Sequence, residues 1–93
     1  MKVMLPGVLL DFWQENPDEW KLPGWLTEKV AAAPVVPRRS FRIDIELDTE
    51  EQREELDALA YKQFMDEGSK QNNLIAKAAF AVYHQVHKYE RNA

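Results

Sequence analysis

The most constraining feature of this sequence is the run over residues 41–47, in which apolar and charged residues alternate at every position. Four apolar side chains fall on one side, and Arg42, Asp44 and Glu46 fall on the other, which is typical of a β-strand with one buried and one solvated face. No second run of this kind is visible in the 93 residues. An isolated strand leaves its backbone donors and acceptors unpaired. The sequence therefore predicts that the strand pairs with its own copy in a twofold homodimer.

Two helices are predicted after this strand. Thr49 and Gln52 match a capping box, which predicts a helix over residues 50–67. Its inner stripe is expected to consist of Leu56, Leu59, Ala60 and Phe64. Gly68 is expected to end this helix and Ser69 to cap the next one. From residue 74 to residue 83 every residue except Lys77 is apolar or aromatic, and we expect a partner subunit to cover such a helix.

A strand, a helix, a short turn and a second helix, in this order, resemble the ribbon-helix-helix family, to which the Arc and methionine repressors belong. The resemblance lies in the alternating strand at 41–47, the helical segment 54–60, the Gly68-Ser69 turn and the segment 74–79. It covers roughly residues 39–89. It implies a mainly α fold with one short β-strand, built as an intertwined dimer.

The resemblance also implies a function. Such a protein would be a transcriptional repressor or an antitoxin, of a kind that phages and plasmids encode, reading double-stranded DNA with a two-stranded ribbon in the major groove. Base edges would be read by Arg42, Asp44 and Glu46. Phosphates would be held before the strand and at the start of the second helix, by Arg38, Arg39, Ser69, Lys70 and Gln71.

The charge balance leaves a second function open. Twelve Lys and Arg stand against 16 Asp and Glu, a net charge of −4, which argues against sequence-independent binding of polyanions. Two of the three outward strand residues are acidic, and an acidic run opens the first helix. The run consists of Glu50, Glu51, Glu54, Glu55 and Asp57. The alternative is therefore a protein-binding inhibitor or adaptor, for example a phage-encoded one, whose acidic face meets a basic partner.

Residues 1–36 are expected to form a Trp-rich helical or extended segment, separate from the dimerisation and DNA-binding domain at residues 37–93. They carry Trp13, Trp20 and Trp25 and two Pro-Gly breaks. We expect that a segment of this size does not fold alone. It is expected either to buttress the dimer or to bind a protein partner through its tryptophans, since Trp is enriched at interface hot spots.

Several classes of function find no support in the sequence. There is no cysteine, no Gly-rich phosphate loop and no nucleophile motif around either serine, and His84 and His87 lack a companion cluster. We therefore expect no enzyme, no metal and no cofactor. No apolar run approaches the roughly 20 residues that span a bilayer, and the apolar start is broken at Pro6-Gly7. We expect a cytoplasmic protein that does not bind membranes.

Overall fold

A computed structural model describes residues 1–16, 18–32 and 42–87 of the protein. Within these residues the chain forms four helices and two strands. In chain order they are β1 (Lys2–Pro6), α1 (Gly7–Glu15), α2 (Gly24–Ala32), β2 (Arg42–Glu46), α3 (Glu50–Ser69) and α4 (Asn73–Val86). The prediction of a mainly helical fold with a little β-structure is confirmed.

The strand predicted from the alternating run has a partner in its own chain. β1 lies antiparallel to β2, with Val3 opposite Ile45 and Leu5 opposite Ile43. These side chains form the inner face of a two-stranded sheet, and three of the four are buried. The prediction that the strand lacks a partner within its chain is wrong, so strand pairing gives no reason to expect a dimer.

The alternation of β1 is hidden in the sequence because both of its faces carry apolar residues. Val3 and Leu5 are buried, but Met4 on the opposite face is equally apolar. The strand is only five residues long and ends at Pro6, which discourages a strand assignment. By the alternation of the ladder, the missing N–H of Pro6 falls on the edge away from β2, where no β2 bond is lost.

The outer edge of β1 is closed by a side chain of α4. The Met4 N–H donates to Gln85 Oε1 at 2.9 Å, and Gln85 Nε2 donates to the Met4 carbonyl at 2.9 Å. The Gln85 amide thus makes the pair of bonds that a neighbouring strand would make. It fastens β1 to α4 and blocks further strand pairing at this position.

The start of α3 is as predicted, and its end is not. Thr49 Oγ1 accepts from the Gln52 N–H at 3.1 Å, as a capping residue should. The helix continues through Gly68 to Ser69, so the predictions that Gly68 ends it and that Ser69 caps the next helix are wrong. The turn instead closes around Gln71, whose φ is 62°, and α4 begins after Asn72.

One core joins the N-terminal segment to α3 and α4. From the first 32 residues it takes Val3, Leu5, Leu9, Leu10, Trp13, Trp20 and Leu26. From residue 42 onward it takes Ile45, Leu47, Leu56, Ala60, Ile75, Ala78, Val82 and Val86. The N-terminal segment therefore packs on helices of its own chain, and it covers much of the apolar surface of α4 for which a partner subunit was expected.

Candidate functional site

The outward residues of β2 lie on the exposed face of the sheet, as the alternation predicts. Arg42, Asp44 and Glu46 stand opposite Pro6, Met4 and Lys2 of β1. Two of these side chains are held by β1 and the residue before it. Arg42 Nη1 donates to Met4 Sδ at 3.2 Å, and the N-terminal ammonium group forms an ion pair with the Glu46 carboxylate. Cations and carboxylates are thus mixed on this face.

The strongest charge feature begins on β2 and runs into α3. We call it the acidic surface, and it consists of seven exposed carboxylates: Asp44, Glu46, Asp48, Glu50, Glu51, Glu54 and Glu55. Glu46 is paired with the N-terminus, and Asp48 is paired with Lys29 at 2.8 Å. Within the described part of the chain, Asp44, Glu51, Glu54 and Glu55 make no ion pair. The surface therefore keeps a net negative charge.

The one cation inside this segment does not neutralise it. The Arg53 side chain is only 14% exposed and bonds to Glu50 Oε2 at 2.9 Å and to Asp57 Oδ2 at 3.4 Å. It also donates to the Val86 carbonyl, which fastens α3 to the end of α4. The hydrogen bond with Glu50 raises the pKa of Arg53 above its ordinary value, so the guanidinium stays charged and bonded within the molecule.

The residues predicted to hold phosphates do not lie in the first turn of a helix. The Ser69 hydroxyl donates to the Asp66 carbonyl at 2.8 Å. Lys70 Nζ bonds to Glu19 Oε1 at 2.7 Å and lies 3.5 Å from Glu67 Oε2. The bond with Glu19 raises the pKa of Lys70 above its ordinary value. With Gln71 these residues form the end of α3 and the turn after it. Arg38 and Arg39 lie outside the described residues.

Two of the three tryptophans are enclosed by the chain itself. Trp13 is buried and its Nε1 donates to Oε1 of the buried Gln63 at 2.9 Å. Trp20 is also buried, with Lys62 Nζ 5.9 Å from the centre of its ring. Trp25 is half-buried and packs against the edge of the core. Trp13 and Trp20 thus act as core residues in this structure, and only Trp25 keeps appreciable surface.

The side of the α3–α4 hairpin that faces away from the core carries a row of aromatic and apolar side chains. We call it the outer face, and its main residues are Tyr61, Phe64, Met65, Lys77, Phe80 and His84. Phe64 and Phe80 lie 5.0 Å apart between ring centres, and His84 stacks on Phe80 at 6.1 Å. Between the helices lies an open groove of about 300 Å³, bordered by Phe64, Gly68 and Phe80. The alternation and capping patterns of the sequence do not predict this face.

A spacing signal for the outer face was present in α3. Ala58, Tyr61, Met65 and Gly68 recur at intervals of three and four residues, which places them on one stripe of a helix. This stripe lies on the opposite side of α3 from the buried stripe, which consists of Leu56, Ala60, Gln63 and Glu67. Because this buried stripe includes polar residues, apolarity alone does not separate the inner stripe from the outer one.

The described residues contain no cluster of three or more His, Cys, Asp or Glu that could bind a metal ion. His87 Nδ1 lies 3.1 Å from Asp57 Oδ2, which makes it part of the contact between α3 and the end of α4. None of the described helices is both long enough and apolar enough to cross a bilayer. Comparison of the chain with protein-family models, curated proteins and solved structures gives no match.

Proposed function

We propose that this chain is a non-catalytic protein-binding protein, an inhibitor or adaptor, that docks its acidic surface on a basic protein. The observation that carries the proposal is the row of seven exposed carboxylates within the twelve residues from Asp44 to Glu55. The only cation of that segment, Arg53, is turned inward and bonded to Glu50, Asp57 and Val86. A surface with a net negative charge steers a partner of opposite charge and selects against others.

The support comes from how rigidly these carboxylates are presented. Asp44 and Glu46 stand on a strand that pairs along its length with β1, and Glu50, Glu51, Glu54 and Glu55 stand on the first two turns of a capped helix. Ordered backbone lowers the entropy that binding would cost. The acidic residues therefore form a fixed array rather than a solvated tail.

DNA binding through the ribbon remains the second candidate, and one observation favours it. β1 and β2 make a two-stranded antiparallel ribbon with Lys2 and Arg42 on its exposed face, and a ribbon of this kind fits the major groove. Asp44 and Glu46 share that face and would approach the phosphates, at an electrostatic cost. We therefore rank it below protein binding.

The test compares two variants of the full chain. We expect wild-type protein to retain a basic protein from a lysate of the source organism, and to release it as NaCl rises from about 0.05 to 0.5 M. The variant Asp44→Asn/Glu51→Gln/Glu54→Gln should lose this protein, whereas Asp11→Asn/Glu15→Gln/Glu28→Gln, with the same change in net charge elsewhere, should keep it. Identification of the retained protein by mass spectrometry shows whether it is basic.

A gel shift with the DNA upstream of the chain's own gene tests the second candidate, DNA binding through the ribbon. A salt-sensitive shift that disappears in Arg42→Ala but persists in the carboxylate variant would overturn the proposal in favour of ribbon-type DNA binding. So would retention of the same proteins by both carboxylate variants. No shift at low salt, together with selective loss of a basic protein, supports the proposal.

A further inference from the structure

We propose that the edge of β2 facing away from β1, here called the free edge, binds an extended, positively charged segment of the partner protein as a third strand. The Leu47 N–H donates to the Met1 carbonyl at 2.7 Å, and the Met1 ammonium donates to the Leu47 carbonyl at 3.1 Å. In an antiparallel ladder, such bonded pairs alternate with pairs that make no bond to each other. The N–H and C=O groups of Arg42, Asp44 and Glu46 therefore point away from β1.

The described part of the chain offers no partner to these groups. Its sheet has two strands, and among the described residues no hydrogen bond is made to the main chain of Asp44 or Glu46 on this side. Arg42, Asp44 and Glu46 are exposed, so the neighbouring helix α2 does not enclose them. Buried main-chain groups without a partner are rare. The free edge is therefore open to solvent.

The two edges of the sheet differ in how they are protected. On the outer edge of β1, the Gln85 amide bonds to both the N–H and the carbonyl of Met4, and Pro6 has no N–H to offer. β2 contains no proline, and no side chain of the described residues bonds to its main chain on the free edge. Natural sheets use such devices to prevent unwanted strand pairing. Their presence on β1 and absence from β2 make β2 the edge at which a strand can be added.

An extended peptide backbone is the chemical group that fits this edge. The main-chain groups of Asp44 and Glu46 recur about 6.8 Å apart, which is the two-residue repeat of a strand. A strand carries donors and acceptors at the same repeat, so each of these residues can exchange two hydrogen bonds with it. On the inner face Ile45 is buried, whereas Ile43 is only half-buried. An apolar side chain of the added strand can cover the remaining surface of Ile43.

Charge selects a basic segment over a second copy of this chain. Asp44 and Glu46 project from the exposed face of β2, and both belong to the acidic surface. Lys or Arg at alternate positions of an added strand would lie beside these carboxylates, and opposite charges across a ladder stabilise it. Pairing of β2 with β2 of a second copy would instead bring two acidic surfaces together, on chains that each carry a net charge of −4. The occupant is therefore a segment of alternating apolar and basic residues.

This inference rests on the proposed function for the charge of the partner, and it adds how the partner is held. Contact through carboxylates alone would leave the main chain of β2 in solvent. Strand addition would bond the N–H groups of Asp44 and Glu46 and slow their exchange with solvent deuterium. Amide exchange therefore distinguishes the two kinds of contact, whereas salt dependence does not.

The experiment is amide exchange of the full chain followed by NMR, with and without an acetylated, amidated peptide of alternating lysine and valine. The peptide is about seven residues long, and its concentration reaches about 1 mM. In the free chain, exchange should be fast at Asp44 and Glu46 and slow at Ile45, which is bonded to β1. Bound peptide should slow exchange at Asp44 and Glu46 by at least about tenfold. The same peptide methylated at the lysine main-chain nitrogens keeps its charge but loses the donors that face β2, so it should bind at least about tenfold more weakly.

Asp44→Pro and Asp44→Ala form the matched pair of variants. Both remove the same carboxylate, but only Asp44→Pro removes the N–H on the free edge, and this N–H makes no bond to β1. Asp44→Pro should bind the lysine–valine peptide at least about tenfold more weakly than Asp44→Ala. Circular dichroism shows whether each variant is folded. The methylated peptide tests the same hydrogen bonds with the wild-type chain, so the outcome does not depend on the folding of Asp44→Pro.

Several results would overturn the inference. Absence of peptide binding at about 1 mM is one. Binding that leaves exchange at Asp44 and Glu46 unchanged is another, since it would show contact through the carboxylates alone and leave the proposed function standing. Slow exchange at both residues in the free chain would show that the protein itself closes this edge. Equal protection by a peptide of alternating threonine and valine would show that the edge does not select a basic segment. The proposed function fails separately, if both carboxylate variants retain the same proteins from the lysate.

Discussion

At the scale of single residues, the glycine near the turn between α3 and α4 lies three positions before the residue whose backbone conformation favours glycine. Gln71 has a φ of 62°, a conformation that costs an L-residue roughly 1–2 kcal/mol and that glycine adopts freely. Gly68 lies inside α3, where a Cβ would meet nothing within 4 Å. We expect Gln71→Gly and Gly68→Ala each to stabilise the fold by about 0.5–1 kcal/mol in urea denaturation. Destabilisation by Gln71→Gly would contradict the left-handed turn.

Gln85 provides a second prediction at this scale. Its amide is bonded to both the N–H and the carbonyl of Met4, which is half-buried. Gln85→Ala would leave both groups unpaired, and we expect a loss of about 1–3 kcal/mol in the free energy of unfolding. Gln85→Glu keeps the acceptor for the Met4 N–H, so slow hydrogen exchange at Met4 should survive in that variant and disappear in Gln85→Ala. Unchanged exchange in both variants would show that Gln85 does not fasten β1.

At the scale of elements, pairing of β1 with β2 in one chain leads to a prediction that distinguishes this fold from a ribbon-helix-helix dimer. Residues 37–93 contain the whole ribbon-helix-helix pattern and would fold alone as a dimer in that family. In this structure β1 and α1 pack on β2 and α4, and Ile45, Val82 and Val86 belong to the core that these elements share. We therefore expect the fragment 37–93 to lack cooperative thermal unfolding, monitored by circular dichroism. Addition of a peptide of residues 1–36 should restore helicity, and a fragment that is folded and dimeric without it would contradict the single-chain core.

Elements that depend on a local pattern could be predicted, and those that depend on a distant partner could not. α3, α4 and β2 follow from a cap, an apolar run and alternation, and their predicted positions are close to those observed. β1 is recognisable as a strand only from its pairing with β2, which lies about 40 residues away along the chain. Of the inner stripe predicted for α3, Leu56 and Ala60 are buried, whereas Leu59 and Phe64 are only half-buried. Gln63 is buried instead, and the sequence does not predict it because its burial depends on the bond from Trp13.

The candidate site residues also divide into those that a local pattern predicts and those whose environment depends on a distant part of the chain. Exposure of Arg42, Asp44 and Glu46 follows from alternation alone and is observed. The sequence allows the tryptophans either to pack on the rest of the chain or to bind a partner. Trp13 and Trp20 are buried, because both rings enter a core that forms only when the N-terminal segment packs on α3. Composition cannot distinguish an interface tryptophan from a core tryptophan.

At the scale of the whole molecule, the acidic surface opposes the stability of the helix that carries it. Glu51 and Glu55 are four residues apart on α3, and like charges at this spacing cost roughly 0.2–0.5 kcal/mol. Glu55→Lys turns the repulsion into a favourable pair, because Glu precedes Lys by one turn. If the carboxylates serve binding, this variant should melt at a higher temperature yet bind the basic partner at least about tenfold more weakly.

Glu15→Lys on α1 makes the same change in net charge away from the acidic surface and should leave binding within about twofold of wild type. Equal weakening by the two variants, measured by calorimetric titration, would show that the partner responds to total charge and not to this surface.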